Sequence, residues 1–106
     1  RHHCNLCDIT TTSVLRASHI KEWSESSREE RIDANNGLLL CANHDALFDQ
    51  HLISFEPNTG NICISTSIDI DQRQALNISE STSLSMNNCM KAYMQIHYKK
   101  FIKKNQ

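Results

Sequence analysis

The hydrophobic pattern in the first half of the chain predicts two short strands followed by a helix. Residues 14–20 are β-branched and apolar enough for a strand that carries His19 near its end. Residues 37–41 form a second, strongly apolar strand, and residues 42–50 are predicted to follow as a helix. Between the strands, residues 21–35 are polar and charged without a clear period, which predicts a loop with room for one short helical turn.

The second half of the chain is predicted to form a hairpin and two helices. Residues 53–55 and 61–65 flank a turn segment with Pro57 and Gly60, as in a β-hairpin. Residues 71–78 are predicted as a short helix, and a longer last helix is expected to begin near residues 84–86. The last helix is indicated by an apolar stripe at three- and four-residue steps, made of Met86, Met90, Tyr93, His97 and Phe101.

The size and composition of the chain indicate one small α+β domain with a thin core. It has 106 residues, with three Phe, one Trp and two Tyr, so a bound metal would be a useful substitute for missing core. There is no apolar run near the roughly 20 residues that a membrane span needs, and no N-terminal signal pattern. We therefore expect a soluble, cytoplasmic protein with no membrane partner.

The cysteine spacing predicts a structural zinc site. Five cysteines are present, and Cys4-x-x-Cys7 suits metal chelation better than a disulfide framework in a chain without secretory features. Cys41-x-x-His44 repeats the same two-residue gap. Three thiolates and one imidazole match the closed tetrahedral ligand set of structural Zn²⁺. The alternative is that Cys41 is a small buried hydrophobe and His44 a surface helix residue.

The net charge of −1 hides a basic C-terminal end, since no Asp or Glu follows Glu80. Basic ends of this kind often contact phosphate backbones. The alternative is a solvated helix face. The residues predicted to contact nucleic acid are Lys99, Lys100, Lys103 and Lys104.

The segments "ASHIKEW" and "NNGLLLCANHDALFD" together resemble the HNH endonuclease family. That family's core is a ββα-metal unit that often carries two cysteine pairs as a zinc knuckle. Its pattern runs from a His on the first strand, through an Asn that opens the second, to a His on the helix. The resemblance covers about residues 4–55 and implies a treble-clef-like core, with the hairpin and the C-terminal helix in an extension over residues 56–106.

Residue by residue, the resemblance places the first family histidine at His19, the asparagine at Asn36 and the final histidine at Asp45. His44 takes the place of the last zinc cysteine. The chain thus departs from the family letters at Asp45. It departs again at Ser18, where many relatives carry an Asp or His metal ligand.

The spacing of two acidic residues suggests how the metal shell is filled. Asp45 and Asp49 are four residues apart on the predicted helix, so their carboxylates share one face and suit Mg²⁺ or Mn²⁺. The alternative for Asp49 is a helix-end carboxylate bonded to backbone. By the resemblance, His19 is the general base and Asn36 braces its loop. If the alignment with the family is shifted by one residue, Asn35 takes the place of Asn36. His44 then becomes the catalytic-metal ligand.

The resemblance implies a metal-dependent endonuclease that hydrolyses DNA phosphodiester bonds as the cleavage module of a restriction-type enzyme. The alternative is a catalytically inactive, zinc-stabilised nucleic-acid-binding module. A start three residues before the first cysteine suggests a fragment, and relatives commonly carry a separate recognition domain. DNA is the expected partner, and a homodimer is kept open.

Three further residues are expected to serve packing. Cys63, on a hairpin strand, and Cys89, on the apolar side of the last helix, lack metal-ligand partners in the sequence. Trp23, just after the histidine strand, is expected to pack beneath the zinc knuckle, with contact to DNA as the alternative.

Overall fold

A computed structural model of the protein describes residues 2–106. It confirms the predicted small α+β fold with two short hairpins and a C-terminal helix. Three single 3₁₀ turns, Thr12–Val14, Trp23–Glu25 and Ala34–Asn36, lie in the first half. The strands and helices are β1 Leu15–His19, α1 Arg28–Ile32, β2 Gly37–Cys41, α2 Ala42–Asp49, β3 Ile53–Phe55, β4 Ile62–Ile64, α3 Ile70–Ala75 and α4 Asn88–Lys104.

The first hairpin and α2 form a ββα unit. Strands β1 and β2 pair antiparallel, with Leu15 opposite Cys41 and His19 opposite Gly37. Leu38 and Leu40 are buried because alternate residues of a strand point to the same face. Helix α2 begins directly after β2 and packs back across both strands. The start of α2 is therefore held near one end of the hairpin, while His19 lies at the other end.

The segment between β1 and β2 contains more helix than its aperiodic sequence predicts. Helix α1 is five residues long and begins with a capping box, in which Ser27 Oγ accepts the Glu30 N–H and the Glu30 carboxylate accepts the Ser27 N–H. Such reciprocal bonds satisfy backbone donors at a helix start. Lys21 Nζ lies 2.8 Å from Glu30 Oε1 and ties the helix back to the start of the segment. Local capping, which a search for periodicity misses, defines this helix.

The second hairpin is confirmed, with Ile53 opposite Ile64 and Phe55 opposite Ile62. Its turn depends on Gly60, which has a φ of 77°. A Cβ at this position would lie 2.2 Å from the backbone oxygen of Leu84. Glycine is therefore required here by both conformation and space.

The predicted start of the last helix and the predicted end of the helix before it are both wrong. Helix α4 begins at Asn88, after residues 84–86, because the Asn87 side chain accepts the N–H of Met90 and caps the helix there. Helix α3 ends at Ala75, before the predicted end at residue 78, because Asn77 adopts a φ of 56°. No helix within residues 2–106 has both the length and the apolar character needed to span a bilayer.

The apolar stripe on α4 is confirmed at its C-terminal end, where His97 and Phe101 are buried together with Met94. The His97 ring stacks on Phe48 at a centroid distance of 3.8 Å. Its Nε2 donates to the Phe48 carbonyl at 2.8 Å, so Nδ1 is left to accept from Ser54 Oγ at 2.7 Å. Packing of Cys89 on this side is contradicted, because Cys89 is exposed. Cys63 is partly buried on β4.

The burial of His97 predicts a loss of stability in acid. Burial lowers the pKa of His97 from 6.5 to about 4, so the unfolded chain takes up a proton below pH 6.5 that the folded protein does not. The free energy of unfolding should therefore fall as the pH drops, with His97 contributing about 2 kcal/mol of the loss between pH 7 and pH 5.

Chemical denaturation at both pH values would measure this loss in the wild type, in His97→Gln and in a His2→Gln control. His2 is exposed, so its variant should behave like the wild type. His97→Gln should be less stable at pH 7 but should lose less stability on acidification. Equal losses in all three proteins would contradict the assigned role of His97.

Candidate metal centre and cleft

Four predicted ligands meet at the junction of β2 and α2. The ligand atoms of Cys4, Cys7, Cys41 and His44 all lie within 4.8 Å of one another. Cys41 is the N-cap residue of α2 and His44 lies in its first turn. The N-terminal turn carries the other two and is fixed to β2 by the Asn5 N–H, which donates to the Leu39 carbonyl at 2.8 Å.

The orientation of His44 fits a metal ligand. Its ring is 1% exposed, and Nε2 donates to the carbonyl oxygen of Leu76 at 2.8 Å. Because a carbonyl can only accept, the proton lies on Nε2 and the Nδ1 lone pair faces Cys4 Sγ, 3.4 Å away. A backbone carbonyl on the second ring nitrogen is the usual support of a metal-bound histidine. The four residues could therefore hold a zinc ion.

The thiols need a cation if all are to be ionised. Burial raises the pKa of Cys7 to about 11, and the neighbouring Cys4 acts in the same direction. Burial also opposes ionisation of Cys4, but the hydrogen bonds that its sulfur accepts, among them that from the Leu6 N–H, outweigh burial and lower the pKa of Cys4 to about 7. Without metal, Cys7 therefore stays protonated near neutral pH. A bound Zn²⁺ would stabilise three thiolates together.

The next residue of α2, Asp45, points away from the thiols and into a cleft of about 500 Å³. The cleft is bounded by the end of β1, by α2 and by the residues just after β1. His19 and Asp49 line the same cleft. The structure thus places His44 with the cysteines, and it places Asp45 and Asp49 with His19.

One ring nitrogen of His19 forms a hydrogen bond within the protein. Its Nε2 lies 3.0 Å from the carbonyl oxygen of Arg31. Since this oxygen only accepts, Nε2 carries the proton and Nδ1 keeps its lone pair. No other side-chain hydrogen bond of His19 is found within residues 2–106. The ring can therefore take up a proton at Nδ1 without losing its anchor.

Asn36 is completely buried and braces the segment after β1. Its Oδ1 accepts the Lys21 N–H at 2.8 Å, and its Nδ2 donates to the Glu30 carbonyl at 3.0 Å. These bonds hold α1, and with it the carbonyl of Arg31 that binds His19. Asn36 thus makes the contacts expected of a brace. Asn35 instead accepts a hydrogen bond from Asn87 with its side chain and is tied to the start of α4.

Two residues that line the cleft were not predicted to do so from the sequence. Glu22 and Trp23 lie in the loop after β1, and both line the cleft. Packing of Trp23 beneath the knuckle is contradicted, because its side chain is 58% exposed. No periodicity or ligand spacing marks Glu22, so the sequence held no local signal for its position.

The four C-terminal lysines differ in their surroundings. Lys100 Nζ lies 2.5 Å from Glu25 Oε1 and 3.3 Å from Glu22 Oε1, at the rim of the cleft. Lys104 donates to the backbone oxygen of Gln50. Lys99 and Lys103 are exposed. Two of the predicted phosphate contacts therefore have partners within the protein.

Comparison with known protein families gives a match to the first half of the chain. The family model described as HNH endonuclease matches residues 4–56, half of the chain. The matched part includes all four residues of the metal cluster and the cleft residues His19, Asn36, Asp45 and Asp49. No curated protein matches the chain.

The cluster predicts that the protein is purified with one zinc ion and depends on it for stability. Structural zinc contributes on the order of 10 kcal/mol in small domains at neutral pH, so a strong chelator should unfold the chain or lower its melting temperature sharply. Elemental analysis and thermal melting would test this in the wild type, in Cys7→Ser and in a Cys63→Ser control.

Cys7→Ser should lose zinc and stability together, whereas Cys63→Ser should keep its zinc. Cys63 is the matched control because it is also partly buried but lies outside the cluster. Zinc-free wild type from a chelator-free preparation, or Cys7→Ser melting like the wild type, would overturn the assignment.

Proposed function

Because the chain belongs to the HNH endonuclease family, we propose that it hydrolyses DNA phosphodiester bonds as the metal-dependent cleavage module of a restriction-type enzyme. One observation carries this proposal. The cleft brings a histidine with a free Nδ1 lone pair, His19, together with the two carboxylates of Asp45 and Asp49. A base and a hard-cation site in one cleft are the groups that phosphodiester hydrolysis requires.

In this proposal His19 is the general base. Nδ1 takes a proton from the attacking water, while the Arg31 carbonyl keeps the ring in place through Nε2. A positioned base of this kind contributes about 10² to 10⁴ in rate.

Asp45 and Asp49 are the residues that would hold Mg²⁺ or Mn²⁺, since carboxylate oxygens suit hard divalent cations. When bound, such a cation supplies electrostatic stabilisation of the phosphate and of the leaving oxygen. Glu22 adds a third carboxylate to the cleft, but it shares Lys100 with Glu25. The acidic cleft would repel a phosphodiester in the absence of a cation. Affinity for DNA at the cleft should therefore depend on the divalent ion.

The exposed basic side chains of α4 would contact the DNA backbone beside the cleft. Lys99 and Lys103 are four residues apart, so they share one face of the helix. Lys100 would exchange its carboxylate partners for a phosphate, and Lys104 lies on the same terminal turn. Contacts of this kind give affinity without sequence preference. Choice of a target sequence would fall to a separate recognition domain.

A second candidate is a zinc-built DNA-binding module without activity. It is favoured by one observation: an aspartate stands at position 45, where the family pattern has a histidine. Loss of the histidine would leave the fold and the knuckle intact. The two candidates differ in whether His19 performs chemistry.

Nicking of supercoiled plasmid in Mg²⁺ or Mn²⁺ distinguishes the candidates. His19→Ala should cut at least about 10²-fold more slowly than the wild type, with unchanged zinc content and DNA affinity. Asp45→Asn should also lose activity while keeping its zinc. His2→Ala is the matched control, because His2 is exposed and outside the cleft.

Cleavage by His19→Ala at the wild-type rate would contradict the proposed mechanism. If the wild type binds plasmid but none of the proteins cuts it in either metal, the inactive binding module is the correct function.

A further inference from the structure

Trp23 is a large aromatic side chain left open at the edge of the proposed catalytic cleft. It is the single tryptophan of the chain. Its side chain is 58% exposed and lines the same cleft as His19, Asp45 and Asp49. Isolated exposed apolar residues are common on protein surfaces, so its exposure alone indicates nothing. Its fixed orientation and its place in the cleft distinguish it.

Arg31 fixes Trp23 from one side. The guanidinium carbon lies 3.6 Å from the centroid of the Trp23 ring. Arg31 Nε also donates to the Trp23 backbone oxygen at 2.9 Å. A cation over the ring is attracted by the π electrons and holds the indole in place. Because the guanidinium covers one face, a planar group that stacks on the exposed indole would take the opposite face.

The same arginine connects the indole to His19. Its backbone oxygen accepts the Nε2–H of His19, and its side chain stacks on Trp23. The indole and the histidine are therefore anchored to one residue of a capped helix. A group stacked on Trp23 would lie in a constant position relative to His19.

The chemistry of the open face indicates what binds it. A flat π surface beside a guanidinium suits a planar aromatic group that is attached to a negative backbone. In a DNA duplex both faces of each base are covered by neighbouring base pairs, whereas an unpaired base offers a free face. Immobilising the indole in advance also lowers the entropy cost of stacking.

We propose that the open face of Trp23 is a stacking site for an unpaired nucleobase of the strand bound in the cleft. The preferred substrate is then single-stranded or locally unpaired DNA. This proposal rests on the proposed function, because it takes the cleft to be the DNA site. It goes further by naming the form of DNA and the residue that selects it.

The single tryptophan makes the proposal directly measurable, because indole fluorescence reports on Trp23 alone. The probes are a fluorescein-labelled single-stranded oligothymidine, a strand of equal length built of abasic sites, and a fully paired duplex. Anisotropy of the label measures binding, and tryptophan emission measures stacking. Zinc-loaded protein carrying His19→Ala is used in Mg²⁺, so that the probes are not consumed.

The oligothymidine should bind and quench Trp23, whereas the abasic strand and the duplex should quench it much less. Trp23→Leu should weaken binding of the oligothymidine by about fivefold or more, since aromatic stacking contributes at least this much per base. Its affinity for the abasic strand should not change. Trp23→Phe should restore part of the loss, which separates stacking from a disturbed fold. Ile70→Ala is the matched control, because Ile70 is 79% exposed but lies outside the cleft.

Binding of the oligothymidine without quenching, equal quenching by the duplex or the abasic strand, or unchanged affinity in Trp23→Leu would each overturn the stacking site. These results would leave DNA binding in place. Absence of binding to all three probes would instead overturn the proposed function, and the stacking site with it.

Discussion

The rotation of α2 is the constraint on which both sites depend. Cys41 and His44 bring the start of the helix against the thiols of the N-terminal turn. Successive residues of an α-helix are about 100° apart around its axis, so Asp45 faces away from the cluster when His44 faces into it. Asp49, one turn further on, shares the face of Asp45. A zinc ion bound by the cluster would thus orient the two carboxylates toward His19. The zinc ligands and the cleft residues are different residues.

A second layer of contacts fixes the other wall of the cleft. Asn36 holds the segment after β1 through backbone bonds to Lys21 and Glu30. The C-terminal helix supports this segment from outside, since Tyr93 donates to Asp33 at 2.7 Å. This hydrogen bond raises the pKa of Tyr93 to about 12, so the phenol remains a donor across the neutral range. The extension beyond the matched residues therefore stabilises the loop that orients His19.

The sequence was most informative where ligand spacing and strong apolar runs coincide. The paired gaps of Cys4/Cys7 and Cys41/His44 specify a shared site, because each gap lets one turn point two ligands at one ion. The apolar run of β2 and the following helix are set by local hydrophobicity, which is visible in the sequence. Asp45 and Asp49 could be placed on one face of that helix from the period alone.

Features that depend on tertiary contacts, and helices too short to show a period, could not be predicted in this way. Helix α1 is too short to show a period, although its Ser27/Glu30 capping box is visible in the sequence. The exposure of Trp23 depends on where its loop lies and on the position of Arg31, 8 residues further on. Similarly, the partners of Lys100 lie in the loop after β1. One of them, Glu25, is 75 residues away from Lys100 in the sequence. Such long-range pairs leave no local pattern.

We propose that adjacent residues of α2, His44 and Asp45, serve two different metals. Anomalous diffraction from crystals grown with zinc and soaked in Mn²⁺ would separate the two sites, with data collected at the absorption edge of each element. We expect a zinc peak among Cys4, Cys7, Cys41 and His44, and a separate manganese peak beside Asp45 and Asp49 in the cleft with His19. A single peak shared by His44 and His19, or manganese bound away from Asp45, would contradict it.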